Sequence, residues 1–199
     1  MNFLAHAYLS FNDPGILAGN MISDFVKGKK KFDYPDPIRQ GIELHREIDA
    51  FTDAHPATRA AATFFRKDYR LYAPAFIDIV YDHFLANDAA VFHTEQHLHR
   101  FSGDTYQLLE PASPYFPQHF QRMFPYMKAQ NWLYNYRFEE GIRNSFEGLV
   151  RRAAHLEDAR PAFEVLMRHY EALSACYQEF FPQLQQYVQQ RFELMNKRF

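Results

Sequence analysis

His45-Arg-Glu-Ile-Asp49-Ala-Phe-Thr52 sets an imidazole, a carboxylate and a hydroxyl at helical spacing on one narrow strip, beside an apolar stripe of Leu44, Ile48 and Phe51. Polar chemistry is thus placed at the edge of a core. A second stretch, Phe76-Ile-Asp78-Ile-Val-Tyr81-Asp82-His83-Phe84-Leu85, puts Asp78 and Asp82 one turn apart in an otherwise nearly apolar run. Desolvating a carboxylate costs several kcal/mol, roughly, unless something cationic compensates it. Such groups therefore point to a bound metal ion or to a strong ion-pair network.

The acids and imidazoles that lie among apolar neighbours are His6, Asp24, His45, Asp49, Asp53, Asp78, Asp82 and His83, drawn from four segments. Carboxylates with some imidazole suit a hard divalent ion such as Mn²⁺ or Mg²⁺, and the set lacks the thiolates of most structural zinc sites. A water-bearing catalytic centre is the sharper expectation. Blander roles compete with it: His6 as a hydrogen-bonded core histidine, Asp53 as the cap of a helix starting at Pro56. A di-metal carboxylate bundle would need Glu-x-x-His motifs, which the chain lacks. Phosphate-cradling glycine loops are also missing, and Cys176 stands far from any nucleophile setting. Lys27, Lys29, Lys30 and Lys31 follow Asp24 closely, and they could steer an anionic substrate or acidic protein although the net charge is −2.

A chain of 199 residues, 47% hydrophobic, fits one domain over 1–199 with a sizeable core. Twenty-one Phe and 13 Tyr recur at helical intervals, which predicts helix-to-helix packing rather than a stacked-ring cofactor box. The net charge gives no general pull toward nucleic acid, and no window resembles a membrane span. One cysteine and an opening Met1-Asn-Phe-Leu-Ala-His6 without signal-peptide pattern predict a cytoplasmic location.

Repeated i, i+3, i+4 apolar spacing with only 7 glycines predicts an all-α, compact helical bundle. Helices are expected near 14–26, 37–52, 56–66, 74–87, 89–101, 130–153 and 160–196, the last broken at Pro182. Asp13-Pro14 and Asp36-Pro37 supply start signals. Pro111, Pro114, Pro117 and Pro125 predict an ordered connection over 102–129 with short helical turns at most, anchored by Phe116, Phe120, Phe124 and Tyr126.

Asn2-Phe-Leu-Ala-His6, Gly19-Asn20-Met-Ile-Ser-Asp24-Phe25-Val26-Lys27-Gly28, Gly41-Ile-Glu-Leu-His45-Arg46-Glu-Ile-Asp49, Thr52-Asp53, and Asp78 with Asp82-His83-Phe84-Leu85 form ordered blocks. Together they resemble the acyl carrier protein phosphodiesterase family, with weaker echoes at Trp132-Leu133, Tyr136 and His169-Tyr170-Glu171. The resemblance implies a divergent HD-type metal-dependent phosphohydrolase, commonly using Mn²⁺, that cleaves the phosphodiester between 4′-phosphopantetheine and a serine of acyl carrier protein. An adjacent His-Asp pair is missing, and His45-Arg46 and the reversed Asp82-His83 stand in its place. On this footing Asp24, His45, Asp78 and Asp82 are expected at the metal, with His6 and Asp49 as further ligands or orienting groups. Arg46 or His83 would stabilise phosphate or protonate the leaving serine oxygen. Two other readings stay open: a phosphohydrolase acting on another phosphoester such as a nucleotide, and a non-catalytic helical binding module whose acids form structural ion pairs.

Overall fold

The computed structural model describes residues 1–196, and every regular element in that range is helical. In chain order these are α1 (Phe3–Tyr8), α2 (Pro14–Ile22), α3 (Asp36–Ala54), α4 (Pro56–Tyr69), α5 (Ala73–Ala86), α6 (Glu95–Leu109), α7 (Gln118–Ala129), α8 (Trp132–Asn135), α9 (Glu139–Arg152), α10 (Arg160–Arg168) and α11 (Tyr170–Asn196). Short 3₁₀ turns cover Ser23–Phe25, Gly28–Asp33, Arg70–Tyr72 and Glu110–Tyr115. None of these helices is long and apolar enough to cross a membrane.

The centre of the bundle is α5, with eleven of its fourteen residues buried. Helices α1, α4, α9 and α11 pack around it. Aromatic side chains fill these interfaces as the sequence predicts: Phe76 lies 5.8 Å from Phe65 and 5.3 Å from Phe146, and Tyr81 stacks on Phe180 at 5.0 Å.

Caps explain several boundaries. Asp13 accepts from the amides of Gly15 and Ile16 at 2.9 Å each, and Pro14 fills the first turn of α2, as expected. Two expected caps differ. The first turn of α4 is closed by His55, whose Nδ1 accepts from Ala57 N at 3.2 Å, while Asp53 is exposed. Asp36 lies inside α3 and pairs with Arg39 instead of capping it.

The proline-rich stretch corrects the expected loop. Helix α6 runs on to Leu109, the 3₁₀ turn takes up Pro111 and Pro114, and Pro117 precedes a full helix, α7. Buried Phe120, Phe124 and Met127 recur at i, i+4 and i+7 along α7, and their packing outweighs the loss at Pro125. Pro182 likewise does not interrupt α11. An interior proline costs about 3 kcal/mol, whereas burying a Phe or Leu side chain returns about 1.5–3 kcal/mol, and Phe180, Phe181 and Leu184 are all buried beside it. The break falls at His169, between α10 and α11. The expected 130–153 helix is split after α8, which starts from left-handed Asn131. The expected 89–101 helix starts only at Glu95, where Thr94 caps it.

One crossing positions the polar residues. A Cβ on Gly19 would stand 1.9 Å from the Ile38 carbonyl oxygen, and one on Gly41 would stand 2.2 Å from that of Ile16. Helices α2 and α3 therefore touch backbone to backbone, a contact only hydrogen side chains permit. Gly103, in α6, has nothing within 4 Å of the same position. We expect Gly19→Ala or Gly41→Ala to cost at least about 1–3 kcal/mol, because the obstacle is backbone that cannot swing aside. Gly103→Ala should be neutral or stabilising by up to about 1 kcal/mol. Urea denaturation of the three variants measures the difference.

Candidate metal centre

Helix α1 brings His6, α2 brings Asn20, the turn after it brings Asp24, and α3 brings His45 and Asp49. Asn20 is fully buried and spends every polar group on this arrangement. Its side-chain nitrogen donates to the His6 carbonyl at 2.9 Å and to Ser10 Oγ at 3.0 Å, which leaves Oδ1 to accept from His6 Nδ1 at 2.8 Å. Its backbone carbonyl accepts from His45 Nδ1 at 2.7 Å. Both imidazoles are thus held through Nδ1 by one residue, and the rings stack at 3.8 Å with a 12° tilt.

The two Nε2 atoms turn toward Asp49. His45 Nε2 lies 3.1 Å from Asp49 Oδ2 and 3.2 Å from Asp24 Oδ1. His6 Nε2 lies 3.3 Å from Asp49 Oδ1, yet it is buried and has no hydrogen-bond partner. Burial and the neighbouring His45 lower the His6 pKa to about 4, so the ring is neutral at pH 7 and its proton sits on Nδ1. A nitrogen lone pair then faces a carboxylate, and two acceptors in contact call for a cation between them. Burial also disfavours charge on His45, but hydrogen bonds to Asp24 and Asp49 outweigh it and raise the pKa to about 9. Asp49 is pulled well below the usual carboxylate range: its burial acts the other way, and the His45 hydrogen bond, the adjacent His6 ring and the Met1 ammonium overcome it. His6, His45 and Asp49 offer ligand atoms that all lie within 4.8 Å of one another. Asp24, whose side chain is 69% exposed, borders the open side.

This N/O donor set, one orphaned nitrogen among it, fits a divalent ion. Residues 1–184 match the family described as acyl carrier protein phosphodiesterase. A protein of that name from Salmonella paratyphi A is 34% identical over 92% of this chain and 95% of its own length, and one from Salmonella newport is 33% identical over the same shares. The chain belongs to the acyl carrier protein phosphodiesterase family. No solved structure matches it.

Among the residues expected at the centre of this family member, the structure separates the two acids of α5 from the histidines. Asp82 is fully buried and accepts from the amides of Leu4 at 2.7 Å, Asn2 at 3.2 Å and Ala5 at 3.3 Å. It closes the first turn of α1, the short helix that carries His6 and that the sequence analysis leaves unassigned. Burial pushes its pKa up to about 7 against the pull of the Met1 ammonium and those amides. Asp78 accepts at 2.9 Å from the Met1 amino group, which also lies 3.4 Å from Asp49. That amine links Asp78 to the centre, although no histidine touches it.

Neither expected transfer residue points at the centre. Arg46 donates to the Val26 carbonyl at 2.8 Å and so ties down the segment that carries Asp24. His83 is engaged at both ring nitrogens, by the Tyr136 carbonyl and the Tyr170 hydroxyl, each at 2.8 Å. Lys27, Lys29 and Lys30 are exposed in the segment that follows Asp24, whereas Lys31 pairs with Glu43 at 2.7 Å. Asn20 is the residue that sequence reasoning passes over. Its signal is a lone carboxamide inside Ile16-Leu-Ala-Gly-Asn20-Met-Ile22, where burial without a purpose would be costly.

Asn20→Ala should lower Mn²⁺ affinity about 10- to 100-fold, the usual loss when an orienting partner of a ligating histidine is removed. Isothermal calorimetry measures it, and Asn20→Asp, which keeps an acceptor for His6 Nδ1, should retain more of the affinity.

Proposed function

We propose that this protein is a cytoplasmic, Mn²⁺-dependent hydrolase, with Mg²⁺ as an alternative ion, that cleaves the phosphodiester between 4′-phosphopantetheine and a serine of acyl carrier protein. The products are apo-acyl carrier protein and 4′-phosphopantetheine. The observation that carries the metal assignment is the bare His6 Nε2 facing Asp49. Substrate choice is supported by family membership over residues 1–184.

His6, His45 and Asp49 would hold the ion, with Asp24 at its open side. A divalent ion there acidifies water toward a pKa of roughly 7 and offsets charge on a phosphoryl group. Asn20 fixes the imidazole planes and keeps each Nδ1 proton in place, so both Nε2 atoms would face the ion, the one on His45 once the proton it shares with Asp24 and Asp49 has left. Asp82 positions His6 by anchoring α1, and Arg46 positions Asp24 through the Val26 carbonyl. Asp78 sets charge near the centre through the Met1 amine. We read the mixture of His and Asp as a divergent HD-type centre that works without an adjacent His-Asp pair.

Overall hydrolysis adds water to phosphorus and breaks the bond to the serine oxygen, which takes up a proton. Incubated with Mn²⁺, the protein should convert holo-acyl carrier protein to the apo form, seen by mass spectrometry as loss of the phosphopantetheine arm. Asp49→Ala and exhaustive chelation should each abolish the conversion, and a far-ultraviolet circular-dichroism spectrum that stays helical excludes unfolding as the cause. An unchanged carrier-protein mass with wild-type protein would refute the substrate.

Lys27, Lys29 and Lys30 are proposed to receive an acidic carrier protein. Exposed charges act chiefly on encounter and are screened beyond about 8 Å at physiological salt. Replacing the three by Gln should raise KM more than it lowers kcat, and the wild-type advantage should shrink as salt is raised. A salt-independent effect on kcat alone would place a lysine in the chemistry instead.

A further inference from the structure

A cavity of about 490 Å³ lies between the start of α1, the α8 segment and one face of α9. Its size falls within the roughly 300–1,000 Å³ of small-molecule sites. Four carboxamides, Asn2, Gln130, Asn135 and Asn144, line it together with Arg151 and Arg152, and its lining contains no carboxylate. Such walls favour an anionic ligand that carries hydrogen-bonding groups along its length. Gly148 forms part of the α9 wall, and a Cβ there would meet nothing closer than the Arg151 guanidinium at 3.8 Å. Unlike Gly19 and Gly41, this glycine is not forced by packing of the protein on itself. It leaves room.

The cavity also adjoins the centre. Phe3 lines it, and Phe3 and His6 stand three residues apart on α1, a spacing that brings Cβ atoms to about 5–6 Å. Asn2, a second lining residue, follows Met1, whose amine lies 3.4 Å from Asp49. About one turn of α1 thus separates the cavity wall from His6.

We propose that this cavity receives the amide-bearing, anionic phosphopantetheine arm of the substrate, laid along α9 with its phosphate toward His6 and Asp49. The proposal rests on the substrate reading above. The carboxamides pair with the amides of the arm, and Arg151 and Arg152 supply the positive wall. Carrier protein stays outside, on the surface that holds Lys27, Lys29 and Lys30, so one substrate is gripped at two places.

Gly148→Leu tests this, since it fills the cavity and replaces glycine inside a helix with a better helix former. With Mn²⁺ present, KM for holo-acyl carrier protein should rise about tenfold or more, equivalent to roughly 1.4 kcal/mol. Hydrolysis of bis-p-nitrophenyl phosphate, which has no such arm, should stay within about twofold of wild type, well under 1 kcal/mol. Calorimetry of the same two proteins with free 4′-phosphopantetheine should show binding to wild type and its loss in Gly148→Leu. Equal loss on both substrates, no loss on either, or calorimetric binding unchanged by the substitution each overturns the cavity assignment. Binding of a mononucleotide in place of 4′-phosphopantetheine overturns it as well. Failure of the wild-type protein to cleave holo-acyl carrier protein refutes the substrate reading separately, and the calorimetric comparison then decides the cavity alone.

Discussion

The backbone contact between α2 and α3 is the constraint on which the centre depends. Because Gly19 and Gly41 let the two helices meet without side chains between them, the Asn20 carbonyl comes within 2.7 Å of His45 Nδ1. The same residue's side chain reaches His6 at 2.8 Å. Three helices are thereby locked to one residue, Asn20. A looser crossing would lengthen the bond to His45 first, freeing a ring that burial and its acidic neighbours pull in opposite directions. Rigidity here matters more than the strength of any one bond, since a ligand set displaced by about 1 Å loses much of its function.

Carboxylates on neighbouring turns take different tasks because their partners differ. Asp82 meets three amides of a helix start, which favour negative charge there and partly offset the cost of its burial. Asp78, one turn earlier, meets the Met1 amine, whose pKa stands at about 11: burial opposes the charge, and Asp78 and Asp49 outweigh it. Of the three, only Asp49 meets the imidazoles, and it shares His45 with Asp24. The buried acids therefore support the centre in sequence, with Asp82 holding α1, α1 holding His6, and the amine spreading positive charge between Asp78 and Asp49. Removing Asp82 would strip three backbone donors of their acceptor at about 1–3 kcal/mol, which makes it a structural as much as a functional position.

Much of this was legible in the residues. Helical class follows from apolar periodicity, and His6, Asp24, His45 and Asp49 stand out as polar groups on apolar faces that then converge. What was not legible is what depends on distant partners. Helix α1 has a local cap in Asn2, but its other acceptors lie 77 to 80 positions away in Asp82, so a helix this short is not announced by its own residues. For the same reason Asp82 reads as a ligand: a buried acid calls for compensation, and the sequence does not say whether a metal or three amides supply it. Prolines mislead in the opposite direction, because their local cost is visible at Pro125 and Pro182 while the burial of Phe120, Phe124, Phe180 and Phe181 that overrides it is tertiary. Arg46 and His83 show the limit of residue type as evidence, since each has the right chemistry and each is committed elsewhere.

Exposure within the centre runs in one direction, and this decides how a substrate must approach. The imidazoles are 3% and 6% exposed, Asp49 40% and Asp24 69%. Nitrogen ligands thus form a closed floor and carboxylate oxygens an open rim. Exposed lysines follow Asp24 in the chain, while the polar cavity along α9 is lined by Asn2 and Phe3 at the start of α1. A small phosphoester would need only the floor. Surface cations in the segment after Asp24 and a carboxamide-lined cavity at the start of α1 suit a phosphate that joins a protein to a flexible arm, because each half of that substrate then has its own ground to occupy.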